Sequence, residues 1–274
     1  MLKDSSDTTH LKMLSGADTY GSGLTAEGDT GRLPWGPVSG ILYAALLYAV
    51  AQIGVALVLM VGLRSLGWSS QRAEGWLTND TFAQFLYIAL AEAVTIWGIV
   101  WFVRRKKVSL RTIGWNRFQL RYIAIALVGL MVYFVGYMIM AGFTSALIPS
   151  LNLSQHQDIG FQNASTSSDK LMTFVSLVVL PPLAEETVFR GFMYTGLRRR
   201  FPVVLSAIIT SLLFAIPHLQ FGDGAPLLWV AALDTFVLSL VLCYVRERTE
   251  SLWPGIFIHA LKNGIAFAAL FLIT

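Results

Sequence analysis

Two adjacent glutamates, Glu185 and Glu186, precede Arg190 in a stretch of chain that is apolar enough to lie in a lipid bilayer. An ionised side chain at the centre of a membrane helix costs about 2.5–3.5 kcal/mol on insertion scales, so such residues face a partner or a water-filled cavity. On an ideal helix Glu186 and Arg190 share one face, whereas Glu185 is turned by about 100° from Glu186. We therefore predict a supporting Glu186–Arg190 ion pair, which leaves Glu185 as a base that accepts a proton from water. The alternative is a structural lock made by all three charges.

Two of the four histidines also lie in apolar runs. His10 and His156 are in polar segments, whereas His218 and His259 are in the predicted membrane helices. Asn263 follows His259 by four residues, so both side chains project from one helical face. Such a pair suits an oxyanion hole, which stabilises the negative charge of a tetrahedral intermediate. The alternative is a polar clamp between helices.

These residue types fit two versions of amide hydrolysis. In the first, Glu185 and His218 activate water without a metal, while His259 and Asn263 stabilise the oxyanion. In the second, Glu185, His218 and His259 hold a zinc ion as a His₂Glu set. The local zinc motif H-E-x-x-H is absent from the sequence, so a metal is possible but not required.

Composition indicates the class of protein that must position these groups. The chain has 274 residues, of which 55% are hydrophobic and 13% charged, and its mean hydropathy is +0.63. We predict an integral membrane protein. The single Cys243 excludes an internal disulfide framework and a zinc site built on several thiolates.

Sustained apolar runs, each near the roughly 20 residues that a crossing helix needs, predict an all-α, polytopic transmembrane bundle of seven helices, or eight if one was missed. The runs are 38–63, 82–103, 121–148, 170–198, 202–219, 226–245 and 252–273. We treat 35–274 as one domain, preceded by a flexible polar tail over 1–34. Pro181 and Pro182 lack amide donors and disfavour a helical conformation at Leu180, so we predict a fourth helix broken into two pieces.

The basic residues favour a cytoplasmic N-terminus. Fifteen lysines and arginines fall in segments that this orientation places inside, against Arg64, Arg72 and Lys170 outside. The net charge of +4 is therefore explained by topology, and we predict no nucleic-acid partner. We expect a bacterial cytoplasmic membrane. For the further intramembrane charges Glu92, Asp234 and Lys262, we expect mutual pairing or extension toward an interface.

Three motifs, taken together and in order, resemble the CAAX protease and bacteriocin-processing family, also called the Abi family, of intramembrane endopeptidases. The resemblance covers about residues 170–270 and rests on Glu185-Glu186-x-x-x-Arg190 with Gly191, on Phe214-x-x-x-His218, and on Ser251-Leu252-Trp253-Pro254 leading to His259-x-x-x-Asn263.

The resemblance implies a polytopic helical protease of the glutamic type, acting on protein or peptide substrates at the membrane. It also assigns roles by motif: Glu185 and His218 activate water, His259 and Asn263 bind the oxyanion, and Glu186, Arg190 and Phe214 support the site. The chain departs from the family at Glu250, where glycine is frequent. It also has seven predicted spans, against eight in the prenyl-protein branch, so prenylated substrates are not implied.

Two other functions fit buried acids and histidines beside a broken helix. One is a transporter or proton-coupled carrier, for which inverted repeats are expected and none is evident. The other is a non-catalytic membrane scaffold that confers immunity or assists secretion. The sequence makes no prediction of oligomeric state.

Depth in the membrane is a separate constraint on any shared site. Counting 1.5 Å per residue from the predicted cytoplasmic ends places Glu185 at roughly 20 Å, His218 at roughly 25 Å and His259 at roughly 12 Å. Straight helices would keep these groups apart, so kinks at Pro182 and Pro217 or helix tilt are needed to bring them level.

Overall fold

A computed structural model describes residues 33–155, 157, 159–220 and 226–273. Within these ranges every regular element is a helix, which confirms the predicted all-α class. Nearly all of the predicted polar tail, and both His10 and His156, lie outside the described residues. Residues from Leu33 onward cluster as one unit.

The helices follow the predicted spans closely. They are α1 (Pro37–Ser65), α2 (Ser70–Asn79), α3 (Thr81–Arg105), α4 (Arg121–Leu147), α5 (Ser167–Phe174), α6 (Leu180–Glu186), α7 (Tyr194–Arg198), α8 (Val203–Ala215), α9 (Trp229–Thr249) and α10 (Trp253–Phe271). A 3₁₀ turn, Ile216–Leu219, extends α8.

Six of these segments are long and apolar enough to cross a membrane: α1, α3, α4, the segment Ser167–Arg198 that contains α5 to α7, α9 and α10. The remaining predicted span, Val203–Leu219, is a shorter apolar helix. The predicted polytopic bundle is therefore confirmed.

Helix α2 was not predicted, because it is too short and too polar to produce an apolar run. Ser69 caps this helix by accepting a hydrogen bond from the Arg72 amide.

The fourth span, Ser167–Arg198, is irregular, but it is not broken into two pieces at Leu180 as predicted. Two π-helical stretches, Val175–Val179 and Thr187–Met193, interrupt its α-helix. Leu180 nevertheless keeps right-handed helical angles (φ −67°, ψ −51°), so the predicted departure of this residue from the helical region is wrong. The wider π turn, Val175–Val179, is followed after one residue by Pro181 and Pro182, which lie in the first turn of α6.

Helices α3, α9 and α10 position the fourth span. Helix α3 packs against α1 and α6, while α10 packs against α4, α9 and α6. One buried core centres on Trp35, Ile99 and Phe192, with the Trp35 and Phe192 rings stacked 4.7 Å apart. A second core surrounds Leu238 and Ile258. The first core includes Phe192 of the fourth span, and α10 joins the second core to α6.

A short segment after α3 fixes the turn from α9 to α10. The Leu252 amide donates to the Gly114 carbonyl at 2.9 Å, and the Trp253 indole donates to the Asn116 carbonyl at 2.8 Å. The buried Arg246 donates to the Thr112 carbonyl at 3.1 Å. These long-range bonds set where α10 begins, and so the position of His259 two turns later.

Glu250 ends α9 in a left-handed conformation, with φ 54° and ψ 17°. This conformation is unfavourable for residues with a Cβ and natural for glycine, which is the usual residue after a helix. The departure from the family pattern at this position therefore places a strained residue in an exposed turn.

We predict that Glu250→Gly stabilises the protein by about 1 kcal/mol, because glycine adopts the left-handed conformation without strain. Thermal unfolding of the purified protein in detergent micelles should shift upward by roughly 2–4 °C. The exposed neighbour Arg248, inside α9, is the matched control, since Arg248→Gly should lower the midpoint. A downward shift for both variants would contradict the assignment of strain to Glu250.

Candidate active site

His259 lies between the two adjacent glutamates. Its Nε2 is 3.7 Å from Glu185 Oε2, and its Nδ1 is 3.4 Å from Glu186 Oε1. The His259 side chain is almost fully buried, as is that of Glu186. Each ring nitrogen therefore has a carboxylate oxygen within 4 Å. The imidazole therefore links helix α10 to both glutamates of α6.

The predicted ion pair between Glu186 and Arg190 is present. Arg190 Nη1 donates to Glu186 Oε1 at 2.8 Å, and the exposed fractions of the two side chains are 0% and 1%. The guanidinium carbon also lies 4.4 Å from the centroid of the Phe214 ring, a cation–π contact that adds to its stabilisation. On the other side of the carboxylate, a Cβ at Gly255 would come within 2.9 Å of Glu186 Oε2. Only glycine allows α10 to approach this closely.

Phe214 connects His218 with the rest of the site. Its backbone carbonyl lies 2.9 Å from His218 Nδ1. Because a carbonyl only accepts, Nδ1 carries the proton in this bond, and the neutral ring then has its lone pair on Nε2. The Phe214 ring is 5.8 Å from the His259 ring, edge to face. The predicted supporting residue thus contacts both histidines.

Asn263 donates a hydrogen bond to the Leu177 carbonyl, which has lost its backbone donor to proline. In a regular helix the Leu177 carbonyl would accept from the amide of residue 181, or of residue 182 in a π-helical register, and both residues are prolines. Asn263 Nδ2 donates to this carbonyl at 3.0 Å. An amide side chain has two N–H donors, so one donor positions Asn263 and the other is left for the cavity.

The four predicted catalytic residues line one cavity of about 180 Å³. Its walls include Glu185, His218, His259 and Asn263. The expected mismatch in depth is thus overcome. The changes in helix geometry lie next to the prolines, in the π turn before Pro181 and in the 3₁₀ turn around Pro217. Hereafter this space is called the polar cavity.

Lys262 also lines the polar cavity, and it follows His259 by three residues on the same face of α10. Its ammonium is 2.7 Å from Asp234 Oδ2, and Tyr133 donates to the other oxygen of the same carboxylate. The expected mutual pairing is therefore confirmed for Lys262 and Asp234. It does not extend to Glu92, which is buried and forms no ion pair within the described part of the chain.

A second cavity, of about 220 Å³, borders the same site. It lies between α1, the fourth span and α8, and it shares Glu185 and His218 with the polar cavity. Apart from these two residues its lining is apolar except for Tyr48. Hereafter this space is called the apolar pocket. Glu185 therefore lines both a polar compartment and an apolar one.

The residues considered as zinc ligands do not form a metal site. Among the described residues, no group of three His, Cys, Asp or Glu side chains has a spacing that could hold a metal ion. We therefore derive no step through a metal.

Comparison with known proteins agrees with the motifs. Residues 167–265 match the family model of the Rce1-like type II CAAX prenyl endopeptidases. An Escherichia coli protein described as an uncharacterized 24.3 kDa protein is 37% identical over 93 residues, which cover 33% of this chain and 41% of that protein. The chain thus spans about two-fifths of this relative's length. No solved structure matches the chain.

The matched segment contains the whole candidate site, from the start of the fourth span to Asn263 in α10. This segment is similar to the CAAX prenyl endopeptidases, in agreement with the resemblance of its motifs.

The bond between Asn263 and Leu177 gives a testable prediction. Asn263→Leu keeps the side-chain volume but removes the donor, which should destabilise the protein by about 1 kcal/mol. In a Pro181→Ala background, residue 181 regains an amide that can bond to the Leu177 carbonyl, so the same substitution should cost less than half as much. Unfolding midpoints of the four proteins in detergent would measure this. Equal losses in both backgrounds would contradict the assigned role of Asn263.

Proposed function

We propose that the chain is an intramembrane endopeptidase in which Glu185 is the general base. The observation that carries the proposal is that Glu185, His218, His259 and Asn263 share one cavity inside the membrane helices. They do so in the segment that matches an endopeptidase family. The roles below are assigned from this arrangement.

Glu185 and His218 activate the attacking water in this proposal. Glu185 Oε2 is buried and has no hydrogen-bond partner within the described residues, so it is available to a water molecule. The lone pair on His218 Nε2 can accept the second hydrogen of that water, because Nδ1 is fixed by the Phe214 carbonyl. Glu185 takes one proton as the water oxygen adds to the carbonyl carbon of the peptide bond.

His259 and Asn263 stabilise the tetrahedral intermediate. The remaining Asn263 donor and an N–H of His259 hold the negative charge that develops on the carbonyl oxygen. The proton held by Glu185 then passes to the departing amine as the C–N bond breaks, which regenerates the carboxylate. Glu186 and Arg190 act indirectly, since the ion pair holds the carboxylate that orients His259.

The proposal also covers the domain that carries the site and its orientation in the membrane. Residues 35–274 act as one protease domain, with the N-terminus on the cytoplasmic side of a bacterial membrane. The distribution of basic residues and the six long apolar helices support this orientation and location.

We predict that Glu185→Gln lowers kcat/KM by at least about 100-fold, because an amide cannot accept the proton from water. The assay is cleavage of a panel of internally quenched peptides by the purified protein in detergent, with products identified by mass spectrometry. Unfolding midpoints serve as the control for folding. Unchanged cleavage by a folded Glu185→Gln protein would overturn the mechanism, and a protein that cleaves nothing in the panel would favour a transporter or scaffold.

Metal removal tests the glutamic mechanism separately. We expect kcat/KM on the same peptides to remain unchanged after exhaustive dialysis against EDTA and 1,10-phenanthroline, because the donor set does not fit a metal ion. Glu185→Gln provides the inactive reference. Loss of activity that zinc restores would show that the metal-dependent alternative is correct.

A further inference from the structure

Glu92 is a buried acid of α3 that the proposed mechanism has not used. It is 5% exposed, and its Oε2 atom has no hydrogen-bond partner within the described residues. It lies outside residues 167–265, the segment that matches the endopeptidase family model. Because an unpaired acid inside a membrane helix is costly, such a residue marks a functional position rather than a packing one.

Helix α3 runs alongside the fourth span in the same direction. Near the start of α3, Gln84 accepts a hydrogen bond at 3.0 Å from the Phe161 amide, which precedes the fourth span. Near the end of α3, the centroid of the Phe102 ring is 5.4 Å from that of the Phe192 ring. Between these two contacts α3 packs directly against α6, the helix that carries Glu185. The middle of α3 therefore faces the middle of the fourth span.

Glu92 and Glu185 lie at similar levels of these neighbouring helices. At 1.5 Å per residue, Glu92 is about 15 Å before Phe102 along α3. On the same scale Glu185 is about 10 Å before Phe192 along the fourth span. The two carboxylates are close enough for their negative charges to repel each other. The Tyr48 hydroxyl, on α1, lies in the field of both.

Titratable groups face Glu185 from each helix packed around it. They are Tyr48 on α1, Glu92 on α3, Glu186 and Arg190 on the fourth span, His218 on the turn after α8, and His259 and Lys262 on α10. Tyr87 on α3 adds to the groups around Glu92. The two cations of this set already have carboxylates of their own, Arg190 in Glu186 and Lys262 in Asp234. Two neighbouring acids without such a cation do not ionise independently, because the charge of the first opposes that of the second.

We propose that Glu92 is a positioning residue, one that acts through Glu185 rather than on the substrate: its negative charge makes Glu185 a stronger base. The inference rests on the proposed function and adds a residue from outside the matched segment. With both carboxylates ionised, Glu185 takes the proton of the attacking water, and the repulsion between the two charges disappears. When Glu185 passes this proton to the leaving amine, both carboxylates are ionised again. Glu92 keeps the same charge throughout.

The first test is the pH profile of kcat/KM on a peptide that the wild-type protein cleaves. Glu92→Gln removes the charge and keeps the shape, so the acidic limb should move to lower pH by about one unit. The plateau should fall, because a weaker base remains. Glu92→Met should produce the same shift, and it replaces an unpaired buried acid by an apolar side chain of similar length. A loss of kcat/KM at every pH without movement of the limb would show a merely structural role and overturn the proposal.

Two variants serve as controls for this shift. Glu92→Asp keeps the charge, so its acidic limb should lie close to that of wild type. Glu74→Gln makes the same chemical change at an exposed residue of α2 and should leave the limb in place. A shift in Glu74→Gln as large as that in Glu92→Gln would contradict the proposal.

Carbodiimide labelling measures the protonation of Glu185 without any cleavage. Dicyclohexylcarbodiimide is apolar and reacts with protonated carboxyl groups: the carboxyl O–H adds across a C=N bond, and the product rearranges to a stable acylurea. Mass spectrometry of protein labelled in detergent micelles gives the extent of reaction at Glu185 against pH, with Glu185→Gln as the blank. The pH of half-maximal labelling should be about one unit lower in Glu92→Gln and Glu92→Met than in wild type.

The two proposals fail in different ways. If no peptide is cleaved, or if Glu185→Gln cleaves normally, the proposed function is wrong. If cleavage depends on Glu185 but neither the acidic limb nor the labelling midpoint moves in folded Glu92→Gln or Glu92→Met protein, the role assigned to Glu92 is wrong.

Discussion

The charge of Arg190 is fully buried in an apolar bundle, and the Glu186 carboxylate, one helical turn away, pairs with it. The carboxylate is then fixed from three directions: by the guanidinium, by His259 Nδ1 and by the close approach of Gly255. Since α10 docks on this charge, the position of His259 beside Glu185 follows from it. The other groups of the site depend on the same docking, because Asn263 is carried one turn further along α10.

Much of this arrangement could be predicted from the sequence because it follows from local periodicity. Runs of about 20 apolar residues specify membrane helices whatever their partners, and a spacing of four residues on one helix specifies the Glu186–Arg190 pair. The same spacing places His259 and Asn263 on one face. The family motifs added what periodicity lacks, namely that residues from three separate helices belong to one site.

The contacts between helices could not be predicted in this way. The conformation of Leu180 was predicted wrongly because a π turn can relieve the constraint from proline, and no local signal distinguishes that outcome from a break. The pairing of Asn263 with the Leu177 carbonyl joins residues 86 positions apart. The apolar pocket depends on the spacing between α1 and α8, which the hydrophobic pattern of a single chain does not encode.

The bond from Asn263 to Leu177 has a consequence for the order of events during synthesis. A ribosome delivers the fourth span to the membrane well before α10. At that stage the Leu177 carbonyl has no Asn263 side chain to donate a hydrogen bond to it, and Glu186 has no histidine beside it. Both requirements are met only when residues up to 263 have been inserted. Assembly of the candidate site is thereby linked to insertion of α10.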